Sequence, residues 1–459
     1  MTVEHLQRIQ STVVRGRRWI VAMDVLVAAS AAARRLLDAG ALDVLAIGAS
    51  RGTGPLAELP PDRALCMDVR GSDMMSAIRA TEAALDDLPP DLVAAVHRFD
   101  PERAARVVRA LFSTGAPVAG RPTWGARPAA WQALEDKTVI EPLWDEAGLA
   151  RAPSEVVPVH APALAAASAR RDEGAGVVWA GDSREGFNGG ATATRWIRHP
   201  GLMAEVLPYF QAHHDRVRVM PFLEGLPCSV HGIVLPDHVI ALRPNEMIVL
   251  RRPGQATFQY AGFGTFWDPP EARRAELRAA ARRVGELLRA RFGYRGAFSL
   301  DGVMTAQGFR PTELNPRIGG AMYAVFGREA SLDVLNGAMI EGEPLDWRSF
   351  ELESYLIERA DLNRGGHSGL ALKVPPESQR ETWLTVQGGV AHEVTVDDPW
   401  TLHASMGPGP SGGYLRLVAH PDRTPRGPSL AASIVTGLRW ADEAWGAGVG
   451  EVEAAPDLR

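Results

Sequence analysis

Ser299-Leu-Asp301-Gly-Val-Met-Thr-Ala-Gln-Gly-Phe-Arg-Pro-Thr-Glu313-Leu-Asn315-Pro-Arg317 is the stretch on which the fold turns. Two short runs, Ala297 to Met304 and Phe309 to Leu314, read as strands joined by a turn. Pairing them sets Asp301 beside Glu313. Asn315 follows two residues later and points to the same face, because strand side chains alternate with a period of two. Three hard oxygen donors then surround one point. Magnesium takes such donors, with water and phosphate oxygens filling the rest of its octahedron. Arg317 keeps the period and adds a permanent positive charge, suited to transferring phosphoryl oxygens. A solvated hairpin end would account for one acidic residue, but not for the whole alternating set.

The flanking sequence supplies the rest of an α/β and α+β chain. Pro270 to Arg291 reads as an amphipathic helix, with Pro at its start and Gly293 beyond its end. Gly176 to Ala180 and Arg216 to Met220 read as strands, the second running into Pro221-Phe-Leu-Glu-Gly225. Cys228 to Leu235 and His238 to Leu242 form a hairpin, and Met247 to Arg251 continues the strands. Asp182 to Gly190 is a glycine-bearing loop. Ala129 to Ala147 reads as a helix capped by Gly148, after a Pro- and Gly-rich boundary at Pro122 to Pro128.

Nearer the N-terminus, strands are expected at Trp19 to Met23, Leu42 to Ile47, Ala64 to Val69 and Leu92 to Phe99. Helices are expected at Val25 to Leu37, Met74 to Leu88 and Glu102 to Phe112. This alternation predicts a doubly wound parallel sheet. The glycines of Gly48 to Gly54 do not fit G-x-G-x-x-G and read as a structural turn. From Glu351 onward a β-rich region is expected, with strands at Tyr355 to Arg359, Trp383 to Val386 and Tyr414 to Ala419. A flexible loop is expected at Gly407 to Gly413 and a frayed tail after Glu451.

A chain of 459 residues suggests several domains, and 46% hydrophobic with 23% charged residues is ordinary for a soluble protein. A formal net charge of −6 gives no basic face for nucleic acid or membrane. Two cysteines, Cys66 and Cys228, provide neither a disulfide framework nor zinc spacing. The apolar stretch Trp19 to Ala33 is too short to span a bilayer, and the expected location is cytoplasmic.

Glu313-Leu-Asn315-Pro-Arg317, with an acidic residue twelve positions earlier, resembles the metal-binding signature of the ATP-grasp superfamily. The resemblance implies two lobes that clamp ATP, two magnesium ions bridging the phosphates, and an acyl-phosphate that an amine attacks. It implies a Rossmann-like domain over residues 1–125, the ATP-grasp lobes over 126–345 with a hinge near 220–224, and a β-rich C-terminal region over 346–459. On this pattern Asp301, Glu313 and Asn315 hold metal, and Arg317 and Arg252 are catalytic. Lys137 reaches the phosphates, Gly189 and Gly190 belong to a flap, and Phe222, Leu223 and Glu224 serve the nucleotide at the hinge.

Three departures stand out. The superfamily's second lysine is missing at Trp179-Ala180, the hinge begins with Met220, and Pro227-Cys228 stands where a ribose-binding Glu is usual. Arg184, Arg195, Arg251 or Arg252 could replace the lysine, the last two being best placed. Arg359 and Arg364, in a charged and glycine-bearing segment, are expected at an acceptor-binding rim. His97, His231 and His367 have no assigned role. Within the superfamily the layout resembles a peptide ligase of natural-product biosynthesis. The expected partners are a small-molecule carboxylate donor and a peptide amine acceptor, with a homodimer left open. The rival readings are a ligase or carboxylase with a small acceptor, and a nucleotide-binding regulator without turnover.

Overall fold

The computed structural model describes all residues except 72, 110–114, 187–188, 328, 410–411 and 459. Three sheets organise the chain. The first is parallel, in the order Ala64–Cys66, Asp43–Ser50, Arg18–Val25, Arg106–Arg109. Its central strands are buried on both faces, which is why they read as continuous apolar runs. Trp19, Val21, Val44 and Ala46 meet the helix Leu26–Asp38 on one face. Ile20, Leu45 and Ile47 meet Leu85, Leu92, Val96 and Phe99 on the other. The sheet is therefore doubly wound, as expected.

The second sheet is antiparallel, in the order Glu155–Pro158, Arg216–Pro221, Val177–Gly181, Thr194–Ile197. Trp179, Val217 and Val219 share a core with Leu164 and Phe210, from the helices Ala161–Arg171 and Gly201–His213. The alternate residues Val178, Ala180, Arg218 and Met220 face a cleft.

The third sheet has eleven strands. Its path runs Gly308–Asn315, Gly296–Thr305, Leu226–Val234, Asn245–Arg251, Phe258–Gly264, Gly366–Leu372, Gly412–Ala419, Leu402–Gly409, Arg380–Gln387, Val390–Val394, with Val239–Ala241 added beside Leu226–Val234. The C-terminal strands are thus bonded directly onto the sheet that carries the Asp301 hairpin. The helix Glu271–Phe292 covers this sheet through Leu277, Ala281, Val284 and Leu288, against Val230, Phe298 and Leu300. Each such buried Leu, Val or Phe side chain contributes roughly 1.5–3 kcal/mol. The helix Ala431–Trp445 covers the C-terminal strands through Ile434 and Leu438, against Leu402, Leu415 and Leu417. Its first amides, from Leu430 (2.7 Å) and Ala431 (3.3 Å), donate to the buried carboxylate of Glu246. Among the described residues no helix is long and apolar enough to cross a membrane.

Several expected elements differ. Leu92 to Phe99 lies in the helix Pro90–Phe99, not a strand. Pro90 opens the helix, and Leu92, Val96 and Phe99 are buried at helical spacing. The expected helix Glu102 to Phe112 instead contains the strand Arg106–Arg109, and its residues 110–112 lie outside the described ones. Tyr355 to Arg359 belongs to the helix Ser349–Leu362, where Leu352, Leu356 and Ala360 recur every four residues. The helix expected over Ala129 to Ala147 breaks after Glu135. Asp136 Oδ1 accepts from the Thr138 amide and hydroxyl, both at 2.7 Å, closing a turn in place of another helical step. The loop expected at Gly407 to Gly413 is paired strand as far as Gly409 and again from Gly412. Finally, the tail after Glu451 is docked rather than frayed. Arg251 and Glu453 exchange backbone bonds at 2.9 Å, and the Trp267 indole donates to the Leu458 carbonyl at 3.1 Å.

Candidate active site

A cleft of about 1260 Å³ opens where the three sheets converge. The metal-type hairpin forms one wall. Asp301 pairs with Glu313, and Ser299 with Asn315, across the ladder of Gly296–Thr305 and Gly308–Asn315. Asn315 Nδ2 donates to Asp301 Oδ2 at 2.8 Å, and the Ser229 hydroxyl donates to Asp301 Oδ1 at 2.6 Å. Arg317 donates to Asn315 Oδ1 at 2.9 Å. Lys137 arrives from the turn after Asp136, with Nζ 2.7 Å from Glu313 Oε1. The same Asp136 accepts from the Ser183 amide at 3.2 Å, which ties Lys137 to the loop beside Gly189 and Gly190.

Burial, and then repulsion from Glu313, push the Asp301 carboxyl up to about 6. Two carboxylates held together against their repulsion are relieved by a cation. Among the described residues no three His, Cys, Asp or Glu side chains converge. A metal here would draw on two carboxylates and one amide oxygen. That donor set fits magnesium, which keeps several waters and substrate phosphates in its shell.

The segment expected to be the hinge forms a second wall. Gly225 is required there: a Cβ would lie 2.3 Å from the Met304 carbonyl. Phe222 stacks on Trp196 at 3.8 Å with 12° between the rings, and Phe258 lies parallel to Trp196 at 6.2 Å. Arg251 covers Phe222 at 5.1 Å and pairs with Glu224 at 2.6 Å. Leu223 and Met220 line the cleft, whereas Glu224 is exposed.

The other sequence candidates separate. Arg252 is turned away, donating to the Val449 carbonyl at 2.8 Å, and does not line the cleft. Arg359 is tied to Glu329 at 3.1 Å and to the Val325 carbonyl, because its helix packs against Gly320–Phe326. Arg364 is buried, donating to the Thr265 carbonyl at 2.7 Å and to Asp361 at 2.9 Å. Neither Arg359 nor Arg364 reaches the cleft, so the expected acceptor rim is not there. The cleft is lined as well by Gly369, Tyr414 and Arg416 of the C-terminal strands, by His367, and by Asp24 and Ala28 of the first sheet's domain. Arg416 has no carboxylate partner among the described residues. Burial and the Arg416 charge lower the His367 pKa.

His231 also lines the cleft. Burial pushes its imidazole down to about 4, which keeps it neutral. A Cβ at Gly319 would lie 2.1 Å from its ring, so only glycine fits beside it. His97, by contrast, meets Arg121 at 3.1 Å, away from the cleft.

No protein-family model and no curated protein matches this sequence. Solved structures do. The pyruvate carboxylase of Rhizobium etli is 15% identical with a TM-score of 0.50, over 96% of this chain and 40% of that one. This is the ATP-grasp fold. An N5-carboxyaminoimidazole ribonucleotide synthetase in complex with ADP is 12% identical (TM-score 0.49; 94% of this chain, 98% of that one). The L-amino acid ligase of Bacillus licheniformis is 11% identical (TM-score 0.48; 88% and 94%). At these identities the likeness concerns the fold, and the chemistry has to be argued from the cleft.

Proposed function

We propose that this protein is an ADP-forming ATP-grasp ligase that joins a carboxylate to the amine of a peptide through an acyl-phosphate. The observation that carries the reading is the Asp301–Glu313–Asn315 hairpin with Lys137 on it, lining a cleft that also holds the aromatic Phe222 segment. Asp301, Glu313 and Asn315 would hold magnesium, which when bound neutralises phosphate charge. Lys137 and Arg317 supply fixed positive charge where the γ-phosphoryl group passes to the substrate carboxylate, releasing ADP. The amine then attacks the acyl carbon, and phosphate leaves with the bonding pair of the broken C–O bond. The loop bearing Gly189 and Gly190 excludes water from the intermediate. Phe222 and Leu223 provide the apolar bed for adenine.

The cleft exceeds the usual range for one small ligand, roughly 300–1,000 Å³. Its lining includes both Arg416 and Asp24. An acid and a base in one cleft suit a zwitterion, such as a peptide with a free amine and a free carboxylate. The segment Arg243-Pro-Asn-Glu-Met-Ile-Val-Leu-Arg-Arg252 and the C-terminal part also resemble the peptide ligase of pheganomycin biosynthesis. That resemblance suggests a guanidino-bearing phenylglycine as donor, and a place in cytoplasmic peptide natural-product synthesis.

The test is incubation with Mg·ATP, a panel of amino acids and peptides, and hydroxylamine. ADP, phosphate and a trapped hydroxamate are expected. Stoichiometric AMP and pyrophosphate would contradict the acyl-phosphate route.

A further inference from the structure

The strand Val177–Gly181 presents Val178 and Ala180 to the cleft and brings no cation there. Directly across the antiparallel ladder, Ala180 faces Arg218, and Val178 faces Met220. Opposed residues in such a ladder point to the same side of the sheet. The guanidinium of Arg218 therefore emerges beside the small Ala180 side chain, on the cleft wall.

Arg218 is only 3% exposed. One Nη donates to the Thr312 carbonyl at 2.9 Å, the other stands 4.0 Å from Glu141, and the buried Nε has no partner. A guanidinium has five donors and does not give up its charge in proteins, so burial with so few acceptors is costly unless an anion is supplied. Burial is the largest influence on it and pulls its pKa down; Glu141 and Glu313 oppose that pull. Thr312 immediately precedes Glu313, the partner of Lys137, so Arg218 sits in the seam between the small sheet and the metal-type hairpin.

The other arginines considered for this role are engaged elsewhere. Arg184 pairs with Asp215 at 3.0 Å. Arg195 lies over Tyr209 at 4.3 Å and donates to the Thr192 and Thr194 carbonyls. Arg251 pairs with Glu224, and Arg252 holds Val449.

We propose that Arg218 binds the polyphosphate of the nucleotide, supplying from the hinge strand the positive charge that its neighbouring strand lacks. The assignment rests on the ATP reading above. It explains how a chain with Ala at position 180 can still hold a highly charged nucleotide: the cation has moved one strand across and remains on the same face.

Calorimetric titration with ATP, ADP and adenosine, in magnesium, tests this without any acceptor. Arg218→Met should weaken ATP and ADP about ten- to a hundredfold, as expected for loss of charge-assisted hydrogen bonds, and leave adenosine unchanged. Arg218→Lys should retain part of the ATP affinity. The double variant Arg218→Met with Ala180→Lys should recover most of it, because the charge returns from the facing strand. Should Arg218→Met fail to fold, the double variant decides. Preference for ATP over adenosine in it supports the assignment, and equal affinity overturns it. Unchanged ATP affinity in Arg218→Met, or parallel loss of ATP and adenosine, also overturns it. Wild-type protein that binds no adenine nucleotide overturns the ATP reading itself, and this assignment with it.

Discussion

Glu313→Gln separates a functional site from a structural one. Asp301 has its carboxyl raised from 3.8 to about 6, first by burial and then by Glu313. Two pKa units correspond to about 3 kcal/mol. For a carboxyl raised above its unfolded value, the native state binds the extra proton. Stability is therefore lost as pH rises from about 4 through about 6, and the loss is complete at neutral pH. Replacing Glu313 by Gln removes the second of the two raising causes, so part of that loss is recovered at pH 7.5. It also reduces the partly exposed Lys137 ion pair to a neutral hydrogen bond, a loss of about 0–1 kcal/mol. The two act in opposite directions, so the melting temperature should move by less than about 3 °C, and the fall in stability between pH 4 and 6 should be shallower than in wild type. Turnover should nevertheless drop by at least about a hundredfold, since a metal ligand and a negative charge are lost together. Differential scanning fluorimetry across pH 4–8, with phosphate release measured at pH 7.5, tests both halves. Destabilisation beyond about 3 kcal/mol would make Glu313 a structural residue, and wild-type turnover would remove it from the site.

Three further outcomes are expected. Phe222→Ala breaks the stack on Trp196, worth about 0.5–1.5 kcal/mol beyond buried area. Adenosine affinity should fall several-fold, and an unchanged adenosine titration would remove Phe222 from the hinge site. Arg416→Ala should raise the acceptor KM by about tenfold or more and leave the ATP KM unchanged, whereas Arg364→Ala, whose guanidinium holds the Thr265 carbonyl, should lower the melting temperature. The reverse pattern would return the acceptor rim to Arg364. Asp100→Asn removes the charge from a fully buried pair with Arg121 at 3.0 Å, and should cost about 3–5 kcal/mol in denaturant unfolding without affecting nucleotide affinity in the folded protein. A cost below about 1 kcal/mol would show that the pair is readily hydrated.

The hairpin at Asp301 was legible because strand geometry is rigid: period two and one turn suffice to bring Glu313 and Asn315 to the same side. The break between strands at Phe222 was legible for a similar reason, since Pro221 and Gly225 bracket it. Leu92 to Phe99 was harder, because an eight-residue, mostly apolar segment satisfies both periods, and here the opening Pro90 decides for helix. Tyr355 to Arg359 misled because β-favouring side chains sit on a helix whose buried stripe, Leu352, Leu356 and Ala360, runs through the segment and beyond both its ends. Arg218 was missed for a different reason. Its significance depends on Ala180, which is 38 residues away in the chain and opposite it in the ladder, and only the register reveals that. Arg359 and Arg364 were expected at the rim of the cleft and do not line it: they look alike in sequence to exposed arginines, while their distant partners, Glu329 and the Thr265 carbonyl, are set by how the helix Ser349–Leu362 docks.

The uninterrupted path of the large sheet has a metric consequence. From the strand bearing Asp301 to the strand bearing Arg416 there are five strand spacings. At about 4.8 Å each, this is at most about 24 Å along the surface, the reach of roughly seven residues of extended chain. A hydrogen-bonded sheet holds such a span far more stiffly than a linker would. Under the proposed ligase reading, molecular length thereby becomes a selectable property, as shape is in a closed pocket. On that reading, a chain too short to touch Arg416 while its amine waits at the hairpin forfeits that anchor, and one much longer must arch away from the sheet to use both ends.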